Sequence, residues 1–249
     1  VGSEMCIRDR SITKNFCEDF MGLKAVFFDL DDTLFKEMDY LKSAYHEIAI
    51  YATNIARGRG VDSVSEEKAY NVMLEAYRQE GNAFTALNES LGLEVPITDY
   101  LSIYRNHIPN IHLSEEVEMM LCQLNAEGYV LGLITDGRSV QQRHKIKALG
   151  LERFFAAEDI IISEEFGSGK PSEANFRYFM ERYPKVAQLA YVGDNLRKDF
   201  ITPKRLGWET FCLLDDGRNI HRQDFSCPEE FLPNIKIAAL NELLSVLAL

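Results

Sequence analysis

The sequence contains few of the residues that build disulfide frameworks, zinc clusters or membrane spans. Its 249 residues include five cysteines, an odd number, and five histidines that occur singly. The cysteines are widely spaced and form no C-x-x-C pair, which argues against a disulfide framework or a zinc site and predicts free thiols. No apolar run approaches the roughly 20 residues of a transmembrane helix, and the N-terminus lacks the apolar segment of a secretory signal. We therefore expect a cytoplasmic protein.

Basic residues are scarce relative to acidic ones. The chain has 27 Lys and Arg against 39 Asp and Glu, a formal net charge of −12. A broad surface for nucleic acid or anionic lipid needs an excess of positive charge, so neither a nucleic-acid partner nor a membrane is expected. Hydrophobic residues make up 46% of the chain, enough for a sizeable core in one large domain or in a core with a smaller insert. Nothing in the sequence fixes the oligomeric state.

Short apolar runs that end in polar clusters are the clearest structural pattern. Three of them read KAVFFDLDDT, YVLGLITDGR and LAYVGDNLRKD, and two further strands are predicted at DIIIS and WETFCLL. Segments with helical signals lie among them, notably SVQQRHKIKALG, PSEANFRYFMERY and, at the end of the chain, IAALNELLSVLAL. Strands that alternate with helices from about residue 128 onward predict an α/β fold with a doubly wound parallel sheet.

The region from residue 36 to residue 112 breaks this alternation. It contains several amphipathic stretches and no clear strand, which predicts about four helices inserted after the first strand. We therefore predict an α/β core formed by residues 21–35 and 113–249, with an all-helical cap domain at 36–112. Residues 1–20 are polar and unperiodic, and we interpret them as a poorly ordered or artefactual N-terminal tail.

The acidic residues after the first strand are unusually close together. Asp29, Asp31 and Asp32 lie within four positions, and like charges so near one another resist ionising together unless a cation shares the site. In open α/β sheets, ligands bind beyond the carboxyl ends of the strands. Since all three polar clusters follow strands, we expect them to converge on one metal-containing site.

Four ordered motifs resemble the haloacid dehalogenase-like (HAD) superfamily of phosphohydrolases. They are D-x-D-x-T at Asp29, Asp31 and Thr33; an apolar strand ending in Thr135; Lys170 followed by proline; and G-D-x-x-x-x-D at Gly193, Asp194 and Asp199. A helical insert between the first and second motifs resembles the family's first cap class, which is typical of small-metabolite phosphatases. The resemblance implies a HAD-like core and a Mg²⁺-dependent phosphatase that acts on a small phosphate ester.

The resemblance also implies a role for each matching residue. Asp29 is expected to attack phosphorus and form an aspartyl-phosphate, and Asp31 to act as acid and then base. Mg²⁺ would be held by Asp29, the backbone carbonyl of Asp31 and Asp194. Phosphate would be bound by Thr135 and Lys170 and by backbone N–H groups at Asp136 and Gly137. Asp199, Thr33 and Asn195 are expected to orient these residues without contacting the metal or the phosphate.

Several alternatives remain open on sequence grounds. A sugar phosphomutase of the same superfamily would use the same aspartate pair, and a silent phosphate-binding module could retain the pocket. A dehalogenase is disfavoured, because a halide leaves without the proton that Asp31 would supply. Asp32 has a simpler interpretation as a turn or cap residue. Substrate contacts from the insert are possible at Arg57, Arg59, Arg78, Arg105 and His107, although each is more simply a solvated residue.

Overall fold

A computed structural model describes residues 24–61 and 65–247. It contains a parallel sheet of six strands in the order β3-β2-β1-β4-β5-β6. The strands are β1 (Lys24–Phe28), β2 (Val130–Thr135), β3 (Ile160–Ile162), β4 (Gln188–Gly193), β5 (Glu209–Leu213) and β6 (Ile235–Ile237). The order reverses direction at β1, which has β2 on one side and β4 on the other. The predicted N-terminal tail lies outside the described residues.

Four helices follow β1, as the amphipathic stretches predict. They are α1 (Glu37–Gly58), α2 (Glu66–Arg78), α3 (Ala83–Leu91) and α4 (Ile97–Asn106). Tyr45, Ile48 and Leu87 belong to an apolar cluster formed by these helices and their connections. Ser65 caps α2 by accepting the N–H of Lys68 at 3.1 Å. The helical character of this insert is confirmed, whereas its division from the core at residues 36 and 112 stays a prediction.

The remaining helices cover the sheet. They are α5 (Glu115–Ala126), α6 (Ser139–Ala148), α7 (Ser163–Phe166), α8 (Glu173–Arg182), α9 (Ile201–Arg205) and α10 (Leu243–Val246). Side chains of β1 alternate between the two faces of the sheet. Val26 and Phe28 pack with apolar residues of α5 and α6, and Ala25 and Phe27 pack with apolar residues of α8. Both faces are therefore covered, and the predicted doubly wound α/β fold is confirmed.

The end of the chain differs from the prediction. A single helix was expected from Ile237 onward, but this residue ends β6, and a 3₁₀ turn at Leu240–Glu242 precedes α10. Ile235 and Ile237 alternate with the exposed Lys236 in β6, which is the pattern of an edge strand. The Glu242 carboxylate then accepts the N–H groups of Ala238 and Ala239, so the helical segment starts only after the strand.

The prediction of free thiols is confirmed for only some of the cysteines. Cys212 and Cys227 are free thiols, as predicted. Cys122 is disulfide-bonded, so the prediction is wrong for this residue, and Cys6 and Cys17 lie outside the described residues. Within the described part of the chain, every helix is too short or too polar to cross a bilayer.

Gly132 in β2 gives a direct test of how β1 and β2 pack. A Cβ atom at this position would lie 2.5 Å from Cδ1 of Phe27. We expect Gly132→Ala to lower the free energy of unfolding by about 1–3 kcal/mol, because the Phe27 ring must leave its site. Gly58→Ala is the matched control, since a Cβ there meets no atom within 4 Å. Equal unfolding free energies for the two variants in urea titrations would contradict this packing.

Candidate active site

The three polar clusters meet at one edge of the sheet. Asp29 directly follows β1, Thr135 ends β2, and Asp194 directly follows β4. The three strands are neighbours and parallel, so their carboxyl ends lie side by side. The N–H of Asp29 donates to the carbonyl of Val192 at 2.8 Å, which extends the pairing of β1 and β4 past the end of β1. The sequence motifs therefore share a single site.

The ammonium group of Lys170 lies at the centre of this site. Its Nζ is 2.8 Å from Oδ1 of Asp29 and 2.8 Å from Oδ1 of Asp199, and it donates to the hydroxyl of Tyr191 at 2.9 Å. Its side chain is fully buried. Burial lowers the pKa of Lys170, but Asp199 and Asp29 raise it well above its usual value. The ammonium group therefore has three protein oxygens within 2.9 Å, two of them from carboxylates.

Asp29, Asp194 and Asp199 form a buried acid cluster whose ligand oxygens all lie within 4.8 Å of one another. Burial raises the pKa of Asp29 to about 6 against the opposing effect of Lys170. Burial, and then the charges of Asp199 and Asp29, raise the pKa of Asp194 to about 8. Three carboxyl groups thus share one buried lysine, so when all three are ionised the cluster has more negative charge than that lysine balances. Three buried carboxylates with this excess of charge fit a hard divalent cation such as Mg²⁺.

The Asp31 carboxylate is held by two side chains of α6. Its Oδ1 accepts from Nζ of Lys145 at 2.6 Å, and its Oδ2 accepts from Nε2 of Gln142 at 2.9 Å. Its side chain is 19% exposed, compared with 6% for Asp29, so it faces the more open part of the site. The role of its backbone carbonyl as a metal ligand stays a prediction.

The loop after β2 is held by side chains of the core. Oγ1 of Thr135 accepts from Gln142 at 2.6 Å. The Asp136 carboxylate accepts the N–H of Lys170 at 3.0 Å and the ammonium of Lys198 at 3.2 Å. The N–H of Gly137 donates to Oγ of Ser163 at 2.9 Å, and its role in phosphate binding stays a prediction.

Asp199 also organises the turn after β4. Its Oδ2 accepts the N–H groups of Asp194 and Asn195, at 3.2 and 2.8 Å. A Cβ at Gly193 would lie 2.6 Å from that oxygen, so glycine allows this close approach. The side chain of Asn195 accepts from the N–H of Arg197 at 3.1 Å and belongs to the same turn.

Asp32 and Thr33 complete the first motif. The Asp32 carboxylate accepts the N–H of Glu37 at 3.0 Å and that of Ile220 at 2.8 Å. It therefore joins the start of α1 to the loop after β5, in keeping with its interpretation as a cap residue. Thr33 is buried, and its Oγ1 has no hydrogen-bond partner among the described residues.

Sequence reasoning missed Gln142 and Lys145 in α6. A usable signal existed, because both share one helix face with Ile146 and Leu149 at the spacing of a buried stripe. Two polar residues in such a stripe indicate buried polar partners. Lys198, one position before Asp199, was also missed.

Asn219 in the loop after β5 was missed as well, and no local motif marks it. Its Nδ2 donates to Oδ2 of Asp194 at 2.9 Å, and its Oδ1 accepts from Nζ of Lys36 at 2.7 Å. Its role depends on a contact between segments 25 residues apart in sequence.

Three of the five candidate substrate-binding residues of the insert have partners nearby in the sequence or in the insert. Arg57 pairs with Glu66 at 3.5 Å, and Arg78 pairs with Glu75 at 3.4 Å. His107 is buried, with Oγ of Ser43 2.7 Å from its Nε2 and the Glu47 carboxylate against its Nδ1. The other two, Arg59 and Arg105, are exposed. The simpler interpretation as solvated residues therefore fits the four arginines, whereas it is wrong for His107, which is buried and has local partners.

Removal of the central ammonium tests the electrostatics of the site. We expect Lys170→Met to lower the free energy of unfolding by about 3–5 kcal/mol, since it leaves buried carboxylates without their partner. Lys198→Met, at a lysine whose side chain is 31% exposed, is the control, and its cost should stay within about 1 kcal/mol. Both values come from urea unfolding without divalent metal. Similar costs for the two variants would refute a central role for Lys170.

The chain matches known proteins across most of its length. A family model described as haloacid dehalogenase-like hydrolase matches residues 23–207. The chain is 32% identical over 201 residues to the glyceraldehyde 3-phosphate phosphatase of Methanocaldococcus jannaschii, covering 77% of this chain and 85% of that protein. It is 25% identical over 208 residues to the phosphoglycolate phosphatase of Vibrio cholerae, covering 77% of this chain and 84% of that protein.

A solved structure has the same fold. The magnesium-bound HAD-hydrolase YfnB of Bacillus subtilis matches with a TM-score of 0.61 and 21% identity, covering 92% of this chain and 100% of that one. Family model, relatives and fold agree with the four motifs at the strand ends. The chain belongs to the haloacid dehalogenase-like hydrolase family.

Proposed function

We propose that the protein is a Mg²⁺-dependent phosphatase that hydrolyses a small phosphate monoester through an aspartyl-phosphate at Asp29. One observation carries the proposal. The Asp29 carboxylate lies at the end of β1, 2.8 Å from the Lys170 ammonium, and within 4.8 Å of carboxylate oxygens of Asp194 and Asp199. The ammonium fixes the carboxylate, and a divalent cation bound by the acid cluster would reduce the repulsion between this anionic nucleophile and an anionic ester.

The reaction has two steps. An oxygen of Asp29 attacks phosphorus, the bond from phosphorus to the ester oxygen breaks, and Asp31 gives its proton to the departing alcohol. Asp31 then takes a proton from water, which attacks the aspartyl-phosphate and releases inorganic phosphate and the Asp29 carboxylate. This role is supported by the partial exposure of the Asp31 side chain, two residues after Asp29.

Phosphate binding is proposed for Thr135, Lys198 and the loop after β2. Thr135 accepts from Gln142, so its own hydroxyl proton is free to point at a phosphoryl oxygen. Lys170 has three protein partners and is better suited to keep Asp29 ionised and oriented than to bind phosphate alone. Lys198 is more accessible and pairs with Asp136 at the mouth of the site, so it adds the second positive charge.

Mg²⁺ is proposed as the cofactor, held by the carboxylates of Asp29 and Asp194 and by the backbone carbonyl of Asp31. When bound, the ion supplies positive charge that reduces repulsion between nucleophile and ester. Asp199 is proposed to support the site through Lys170 and the turn after β4. Thr33 and Asn195 are assigned to the same supporting set.

The proposed substrates are small phosphorylated metabolites. Support comes from the relatives named for glyceraldehyde 3-phosphate and phosphoglycolate, which therefore come first in an assay panel. The insert is proposed to act as a cap of the first class over the site. A cytoplasmic location and the absence of nucleic-acid and membrane partners stay predictions.

Asp29→Asn tests the reaction class. We expect the wild-type protein with Mg²⁺ to release inorganic phosphate from an aryl phosphate and from a member of the metabolite panel. Asp29→Asn should reduce turnover by at least about 10³-fold, since it removes the nucleophile, with little change in melting temperature. Asp39→Asn, at an exposed acid in the first turn of α1, is the control and should retain activity. An active Asp29→Asn enzyme would refute the nucleophile; isomer formation without phosphate release would favour a phosphomutase, and binding without turnover a silent module.

The cofactor proposal predicts stabilisation by Mg²⁺ that can be measured without activity. An ion that binds the folded state at 100 times its Kd adds about 2.7 kcal/mol to the free energy of unfolding. We expect millimolar Mg²⁺ to raise the melting temperature of the wild type and of Asp39→Asn, and to have much less effect on Asp194→Asn. An equal rise in all three proteins would show that Mg²⁺ acts elsewhere.

A further inference from the structure

Two side chains of α6 contact the carboxylate of Asp31, one at each oxygen. Nζ of Lys145 lies 2.6 Å from Oδ1, and Nε2 of Gln142 donates to Oδ2 at 2.9 Å. Their spacing of three residues brings both to the same face of the helix. Both oxygens of the carboxylate therefore have a donor from α6, and two such contacts restrict the rotation of the group.

Lys145 is an unusual residue for this position. Its side chain is 1% exposed, and its ammonium lies 3.6 Å from Oε1 of Glu37 and 4.7 Å from the centre of the Tyr40 ring. Burying an ammonium group has a desolvation cost that even a close partner does not always repay, so an apolar side chain of similar length could fill this space at least as well. The shorter contact is to Asp31, which makes that carboxylate its main partner.

Gln142 connects Asp31 to the predicted phosphate-binding loop. Its Nε2 lies 2.6 Å from Oγ1 of Thr135 and 3.2 Å from the carbonyl of Asp136. The carboxylate of Asp31 and the carbonyl of Asp136 can only accept hydrogen bonds, so the nitrogen of the amide must face them. A Cβ at Gly137 would approach Cδ of Gln142 to 3.0 Å, so this loop closes tightly over the amide.

We propose that Lys145 and Gln142 are positioning residues for the proton transfer, holding the Asp31 carboxyl group in a fixed orientation relative to the hydroxyl of Thr135. The inference rests on the proposed function, because it assigns Asp31 the proton that the leaving alcohol takes. Thr135 is proposed to bind the phosphoryl group. The distance between Thr135 and Asp31 therefore determines where the ester oxygen lies relative to Asp31, its proton donor. Neither Lys145 nor Gln142 touches the substrate in this arrangement.

The nature of the leaving group separates this role from a purely structural one. An alkyl phosphate needs a proton on its departing oxygen, whereas p-nitrophenolate leaves without one. The value of kcat/KM reports the steps up to release of the alcohol, so it isolates this proton transfer from the later attack of water. We expect Lys145→Met to lower kcat/KM about 10²-fold for an alkyl phosphate and less than about 10-fold for p-nitrophenyl phosphate.

Gln142→Met removes the second donor at nearly constant volume and gives a test that survives if Lys145→Met fails to fold. It should show the same discrimination between substrates, to a smaller extent. Lys147→Met changes an exposed lysine of the same helix and should leave both rates unchanged. In an Asp31→Asn background, Lys145→Met should no longer change the ratio of the two kcat/KM values, because the group it positions is gone.

The outcomes distinguish this inference from the proposed function. If the wild type hydrolyses both esters and Asp29→Asn hydrolyses neither, the phosphatase proposal stands. If Lys145→Met and Gln142→Met then lower kcat/KM equally for both esters, or act equally in the Asp31→Asn background, the positioning role is refuted. If the wild type hydrolyses neither ester, the proposed function fails and this inference fails with it.

Discussion

The buried ammonium of Lys170 is the interaction on which the site depends. It joins Asp29 after β1 to Asp199 in the turn after β4, with 2.8 Å to each carboxylate. Acids at the ends of neighbouring strands would otherwise repel one another in a place where water cannot screen them. Asp199, held in this way, uses its second oxygen to order the N–H groups at Asp194. The positive charge of Lys170 therefore pairs with Asp29 and, through Asp199, helps to order the backbone at Asp194.

Much of this arrangement follows from local sequence patterns. Successive side chains of a strand point to opposite faces of the sheet. A run of four apolar residues therefore predicts that both faces of β1 are covered, and Ala25, Val26, Phe27 and Phe28 do alternate between two apolar clusters. The convergence of the motifs follows from parallel strands whose ends share one edge. The edge strand β6 was missed because the charged Lys236 interrupts its two isoleucines and a helix-like segment follows it. β3 has the same length but was predicted, since three consecutive isoleucines mark it.

The missed side chains show a second limit of the sequence. Gln142 and Lys145 look like solvent-facing residues of a polar helix until their stripe is compared with Ile146 and Leu149. Asn219 could not be found at all, since its meaning comes from lying against Asp194 in the folded chain. Sequence reasoning identified the charged groups at the strand ends, whereas the groups that orient them became apparent from packing.

The contact of Asn219 has a mechanical consequence. Its amide accepts from Lys36, the residue immediately before α1, and donates to Asp194, and the neighbouring Ile220 is tied to Asp32. A rotation of the insert about the start of α1 must stretch this bridge or carry it along. Movement of the insert would therefore also change how tightly the Asp194 carboxylate is held.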